Sequence, residues 1–463
     1  MKRSRGENEP VRAEKKTIPT ETRHTGIGAA SADGDDRALG PEHTISVVRT
    51  DGDFDALEDR WNALIDGSDA TVFQTYEWQR TWWTYFGGGA ILEILLFERE
   101  GELDGIVPLC RLSVKLLGIP VATHLKFLGV GLSDYLSPIM LRGSESAVIG
   151  SLARHLAAHR NEWDVFDLED VNEKSACTDL LPAALEREGL PVFYYQGSMC
   201  PAISLPGSMD ELMKSMGSST SYNLKRKFKR LKSHFTSDVE LVRHESDDIA
   251  GAIDDFASIH GHRWKSQGHP SAFDDEKHRN FHADVCRRLA RRDWLRIFFL
   301  RVEGRRVAVS FSFNFRSVIY MYQSNAYGPE DVMKCSPGLH IRSAAIEEGI
   351  GEGMRVFDFM RGDEEYKYRE WNAINSKNWS IRTSPKTAGG RIRFFFFLWA
   401  ELFNKARKRI QWEWYEYRRF RITGRAGTPR GKYLLDKTAS LFGVFVDFMQ
   451  RHFLRGKKPG GSA

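Results

Sequence analysis

Residues 317–369 read SVIYMYQSNAYGPEDVMKCSPGLHIRSAAIEEGIGEGMRVFDFMRGDEEYKYR. The order predicts a β-strand, a loop, an amphipathic helix opened by Ser336-Pro337-Gly338, a second strand and then a polar cluster, the alternation of an α/β fold. A helix that starts with Ser-Pro-Gly after a strand offers unpaired backbone N–H groups and a positive dipole end, which suit a pyrophosphate; a plain N-terminal cap is the alternative. The cluster Gly362-Asp363-Glu364-Glu365-Tyr366-Lys367-Tyr368-Arg369 gathers three carboxylates, two phenols and two cations at the carboxyl end of the strand, where open α/β sheets place their ligands. A carboxylate there could take a proton from an attacking amine while Lys367 or Tyr366 steadies a developing oxyanion or leaving group. A solvated, self-paired loop is the other reading.

Working outward, this segment has an echo upstream. RVFDFMRGDE stands against DVFDLEDVNE, with Val356-Phe357-Asp358-Phe359 matching Val165-Phe166-Asp167-Leu168. FFLRVEGRRVAVSFSF sets Glu303-Gly304 between two β runs, as Glu100-Gly101 is set in LLFEREGELDGIVPL. The two offsets, 203 and 191 residues, fit a diverged duplication with altered loops rather than a short solenoid repeat. Two similar α/β domains are expected, at 43–205 and 206–388, after a disordered arm at 1–42 and before a helical extension at 389–463. Between the domains SSTSYNLKRKFKRLKSHF places Leu224, Phe228, Leu231 and Phe235 at helical spacing with six cations interleaved. It reads as a linker helix with a solvated face, or as a basic wall for an anionic ligand such as a phosphate.

Composition narrows the classes. The 463 residues suggest two or three globular units. The five cysteines are widely spaced and odd in number, which excludes a disulfide scaffold and suits a reducing, cytosolic setting. The charged start MKRSRGENEPVRAEKK lacks a signal peptide's apolar core of about 7–15 residues, and Phe394–Ala400, the longest apolar run, is far short of the roughly 20 that span a bilayer. G-x-S-x-G, P-loop and H-E-x-x-H motifs are absent, and Gly129-Val-Gly131 lacks a dinucleotide fingerprint's third glycine. His260, His262, His269, His278 and His282 cluster, but no Cys or carboxylate completes a ligand pattern, so they read as surface or packing residues and no metal is expected. Asp51, Asp53 and Asp55 lack a calcium loop's glycine and terminal glutamate and read as helix caps.

The net charge of +5 is unevenly spread: residues 1–42 balance at zero and residues 391–463 carry +12, which leaves −7 on the body. In the tail Trp399, Leu402, Phe403, Ala406, Ile410, Trp414 and Tyr417 are expected on one helical face, with Lys405, Arg407, Lys408, Arg409, Arg418 and Arg419 around it. Leu434, Leu441, Phe442, Phe445, Phe448 and Met449 repeat the pattern. Such a tail suits an anionic membrane surface, packing on the body, or, least well, nucleic acid.

SPGLHIRSAAIEEGI (336–350) and RVFDFMRGDEEYKYR (355–369) resemble the acetyltransferase-like domain of CelD-type cellulose and exopolysaccharide biosynthesis proteins, within the GNAT superfamily and related to Fem-type aminoacyltransferases. FQTYEWQRTWWTYFG (73–87) and SSTSYNLKRKFKRL (218–231) extend the resemblance to roughly 45–385, with GDEEYKYR its most specific part. It implies tandem GNAT-like domains, each a mixed twisted sheet flanked by helices. It also implies acyl transfer from acetyl-CoA or another acyl-CoA to an amine or hydroxyl, on a sugar or lipid-linked precursor of envelope or exopolysaccharide synthesis. The donor's pyrophosphate would meet Cys335, Ser336, Pro337, Gly338 and Leu339; KCSPGLH stands there instead of the usual Gly-rich loop, which leaves an aminoacyl-tRNA donor open. Asp363, Glu364 and Glu365 are the candidate bases, and Tyr366 and Lys367 the candidate acid or oxyanion stabiliser. Fem-like aminoacyl transfer to a cell-wall precursor and a non-catalytic scaffold for a membrane polysaccharide synthase are the alternatives, and the tail implies a peripheral place on the inner face of the membrane.

Overall fold

The computed structural model describes residues 43–266 and 270–423. The expected arm at 1–42, His269 and the second tail stretch around Leu434–Met449 lie outside them. The hairpin turns come first because their chemistry is local. β2 (Ala90–Arg99) and β3 (Glu102–Leu116) join through Glu100-Gly101, and β9 (Leu295–Val302) and β10 (Arg305–Phe315) through Glu303-Gly304. In both turns the two central residues have positive φ, at 54° and 86° in the first and 48° and 74° in the second, the backbone a two-residue turn needs to follow the strand twist. The same dipeptide thus makes the same hairpin twice.

Around these hairpins each half builds a matching run. β1 (Thr44–Val48) edges β2, β4 (Ile119–Phe127) follows β3, and β6 (Val165–Asn172) pairs parallel with β4. β8 (Ser237–Val242) edges β9, β11 (Val318–Ala326) follows β10, and β12 (Val356–Asp358) pairs parallel with β11. The short β5 (Ile139–Met140) pairs β3 off this path. The two remaining strands, β7 (Val192–Ser204) and β13 (Ile374–Thr383), close the sheet in the order β1-β2-β3-β4-β6-β13-β7-β12-β11-β10-β9-β8. The last strand of the first half therefore lies against β12 of the second, and the last strand of the second half against β6 of the first. Residues 43–383 form one continuous mixed sheet with the halves interleaved at its centre.

Three apolar layers cover it. One is shared: Phe73 and Trp78 from the first half meet Phe281, Phe313 and Tyr322 from the second, with Trp78 edge-on to Phe281 and Phe313 at 5.5 and 5.6 Å between centroids. On the opposite faces the helices Glu145–Ala158 and Ala176–Arg187 cover the first half, and Met209–Ser215, Ser218–His234 and Pro337–Gly351 the second. Helix Ala388–Thr423 packs Phe394, Phe397, Leu398 and Leu402 onto Val114, Ala122 and Val165. The single face expected for the tail is thereby corrected: Leu402 turns to the body, whereas Trp399, Phe403 and Ile410 stay exposed, joined by Ile392, Phe395 and Phe396. Among the described residues no helix is long and apolar enough to cross a membrane.

Candidate active site

The site begins with an irregularity in β11. Phe311 of β10 faces Gln323, but Phe313 faces Tyr320, so the two steps on β10 are matched by three on β11 and the strand bulges at Met321–Tyr322. A bulge takes a residue out of the ladder and re-aims its side chain and N–H, a device common beside active sites. Two residues earlier the parallel pairing with β12 has already ended, at Tyr320 and Asp358. Past Asp358 the chain follows β7 instead: Phe359 N–H donates to Pro201 O at 2.9 Å and Gly362 N–H to Met199 O at 2.9 Å. The sheet is splayed open between residues 321–326 and 359–364.

The helix Pro337–Gly351 points its N-terminus towards that opening. Ser336 is left-handed (φ 60°), Pro337 occupies the first helical position, and no side chain caps the end. Gly338 matters sterically, because a Cβ there would lie 3.3 Å from Arg342 Nη1; glycine lets the guanidinium fold back beside the first turn. Arg342 is largely buried, its guanidinium 4.2 Å over the Tyr366 ring, and its Nε–H has no hydrogen-bond partner. Ser324 Oγ and Asn325 Nδ2 on β11 are likewise buried without partners. Glu370 faces both Lys227, at 3.1 Å, and Arg342, at 3.6 Å, which ties the basic helix Ser218–His234 to this corner. The unmet Nε–H of Arg342 beside an open helix N-terminus fits an anionic group such as a pyrophosphate.

On the shared face a cavity of about 220 Å³ runs along the bulge, lined by Leu132, Asp134, His260, His282, Tyr322 and Arg361 among others. The His282 ring is oriented by its Nδ1–H donating to His278 O at 2.6 Å, which leaves Nε2 as an acceptor 3.2 Å from the Tyr322 hydroxyl. That hydroxyl has one proton and two acceptors, Nε2 and Leu132 O at 3.1 Å. Burial lowers the His282 and His260 pKa values to about 4, keeping both rings neutral, and raises that of Tyr322, keeping its phenol protonated. The packing role expected of these histidines is what His260 and His282 have, and they also line a cavity. Arg361 is fixed by Asp134, by Asp170 at 3.5 Å and by Ser133 O at 3.0 Å, locking the mouth of the splay to the first half.

The residues expected from the polar cluster have other uses. Lys367 is buried, and its ammonium meets Met360 O, Arg361 O and Gly362 O at 3.1–3.4 Å and Glu364 at 2.8 Å. Its three protons are spent holding the loop, so it has none left for an oxyanion, and Glu364 is held by the same ammonium. Asp363 accepts from the Tyr368 hydroxyl, and Glu365 pairs with Arg369 at 3.3 Å in solvent. Tyr366 is the ring under Arg342. Of the second expected set, Ser336, Pro337, Gly338 and Leu339 form the open helix end, and Cys335 is buried beneath it. Sequence reading missed Tyr322, His282, Arg342 and Arg361. Tyr322, Arg342 and Arg361 fall inside the segment already singled out, and His282 belongs to the histidine cluster read as surface or packing residues.

Residues 218–368 match the family model described as an acetyltransferase (GNAT) domain. The fold is similar to that of FemX, 13% identical over 73% of this chain and 96% of that one, with a TM-score of 0.52. Also similar are L-PGS from Bacillus licheniformis (10% identical, 72% and 94% covered, TM-score 0.43) and a tandem GNAT protein from the clavulanic acid biosynthesis pathway (7%, 74% and 100%, 0.42). No curated protein matches the chain. Residues 218–368 are thus similar to a GNAT acetyltransferase domain, and the duplicated α/β sheet that contains them has a fold like that of FemX.

Proposed function

We propose that the second half is the working unit of an N-acyltransferase that takes its acyl group from acyl-CoA and passes it to an amine. The observation that carries this is the bulge at Met321–Tyr322, beside which the sheet opens with an uncapped helix N-terminus on one face and a cavity lined by the Tyr322 phenol on the other. The thioester of acyl-CoA supplies the activated carbonyl. Arg342 and the first turn of Pro337–Gly351 would hold its diphosphate, and the N–H released by the bulge is suited to the oxyanion of the attacked carbonyl. The C–N bond forms as the C–S bond breaks. Tyr322 takes a proton from the acceptor nitrogen and gives its own to the departing sulfur, so it ends as it began. His282 is a positioning residue that holds the phenol. Asp363, Glu364, Glu365, Tyr366 and Lys367 are assigned to shaping the loop and carrying Arg342.

An amine on a sugar or lipid-linked precursor of envelope or exopolysaccharide synthesis is the acceptor we favour, on the family resemblance. Attachment to an anionic membrane draws support from the stripe Ile392, Phe395, Phe396, Trp399, Phe403 and Ile410, half-exposed and flanked by Arg391 and Arg407.

The test is release of free CoA from acetyl-CoA in the presence of an amino-sugar acceptor, with Tyr322→Phe as the variant. The reading expects turnover in the native chain and a loss of about 100-fold or more in the variant at unchanged melting temperature. Failure to bind any acyl-CoA would turn the reading towards an aminoacyl donor or a scaffold.

A further inference from the structure

A second cavity, of about 410 Å³, lies on the other side of the loop 131–137 and is walled by both halves of the chain. Its volume falls within the roughly 300–1,000 Å³ of small-molecule sites. Asp358 contributes to its wall with Tyr135, Tyr320, Asn172, Ala176 and Ser376. Asp358 is half-buried, and its carboxylate accepts one hydrogen bond on each oxygen, from Tyr135 Oη at 2.8 Å and from Met360 N–H at 2.8 Å. Each oxygen keeps a further lone pair, and among the described residues no cationic side chain pairs with it. The duplicated position is built otherwise: Asp167 is fully buried and is held by Arg382. A carboxylate drawn partly out of solvent without a cationic partner is costly, and where the first half supplies a guanidinium the second has a cavity wall. The other ionisable wall residues are Asp69, Glu145 and Lys174, two acids to one base.

We propose that this cavity is a binding site, separate from the reacting centre, for a small molecule that carries a protonated amine and hydroxyl groups, its ammonium paired with Asp358. The hydroxyl preference follows from Asn172, Ser376, Thr71 and Ser137 on the wall. The inference rests on Asp358 and the cavity and not on acyl transfer, so it stands or falls without an acyl donor.

Titration calorimetry on the full chain, with no CoA present, tests it with glucosamine against glucose. Glucosamine should bind at least tenfold more tightly than glucose. Asp358→Asn should weaken glucosamine at least tenfold, and Ala176→Phe, which fills the half-exposed rim without touching Asp358, should do the same with the melting temperature as a check on folding. Equal binding of the two sugars, no binding of glucosamine, or undiminished binding in folded Asp358→Asn or Ala176→Phe would overturn the proposal. Tyr322→Phe tests the reaction separately, so loss of turnover and loss of amine binding can be told apart.

Discussion

The two halves repeat one plan, and the second leaves open what the first has closed. In the first, the helix after the β4 crossover loop begins at Glu145, whose carboxylate accepts from Gly143 N–H at 2.8 Å and sets a negative charge at the helix N-terminus. In the second, the corresponding end at Ser336-Pro337 also lacks a side-chain cap but has no acidic residue in its first turn, so its dipole end is free of negative charge. In the first, the splay between β4 and β6 is bridged by the chain itself, with Leu136 N–H donating to Asp170 O at 2.9 Å. In the second, the splay is bordered by a bulge, a phenol and unpaired buried donors. Asp167 has Arg382, and Asp358 has a cavity. A duplicated fold can use one copy as a scaffold and the other as a site.

The largest effect should come from unmaking a closed feature of the first half. Arg382→Ala strands Asp167 in the core and should cost about 3–5 kcal/mol in urea unfolding, whereas Asp358→Asn should change stability by less than about 1 kcal/mol at neutral pH. Equal costs would remove the contrast. Next, Arg342→Met should raise the KM for acetyl-CoA about tenfold or more with a smaller change in kcat, since its unpaired Nε–H is assigned to the donor.

Stability against pH should sharpen the comparison further. Burial lowers the His260 and His282 pKa values from 6.5 to about 4, so their contribution is complete above pH 6.5 and is lost as pH falls towards 4. Asp358 has the opposite sign. Its carboxyl is raised from 3.8 to about 7, mainly by burial, so the folded chain holds an extra proton between those values and loses stability as pH rises through 7. Relative to the native chain, Asp358→Asn should be more stable at pH 8 than at pH 5, and an unchanged difference would contradict the half-buried, unpaired carboxyl. The smallest effect belongs to the acidic helix end: Glu145→Ala should cost about 0.5–1 kcal/mol and leave donor binding unaltered.

Much of this was legible where the chemistry is local. Glu100-Gly101 and Glu303-Gly304 announced their hairpins, VFDL and VFDF announced the duplication, and Ser-Pro-Gly announced the helix start. The exchange of β7 and β13 was not, because edge pairing between strands about 180 residues apart leaves no periodic mark. Lys367 looked catalytic because a charged run gives no sign that one member turns inward to three carbonyls. Tyr322 and His282 hid for the converse reason, since an aromatic in a strand and a histidine on an apolar helix face read as core. The tail divided its aromatics between two faces because Phe394, Phe397 and Leu398 meet a sheet that sequence alone does not position.

The most direct test of a working second half beside a closed first half is amide hydrogen exchange with and without acetyl-CoA. The account predicts new protection across 321–326 and 336–342 and none across 143–149. Protection at 143–149, or none at 336–342 with acetyl-CoA bound, would contradict it.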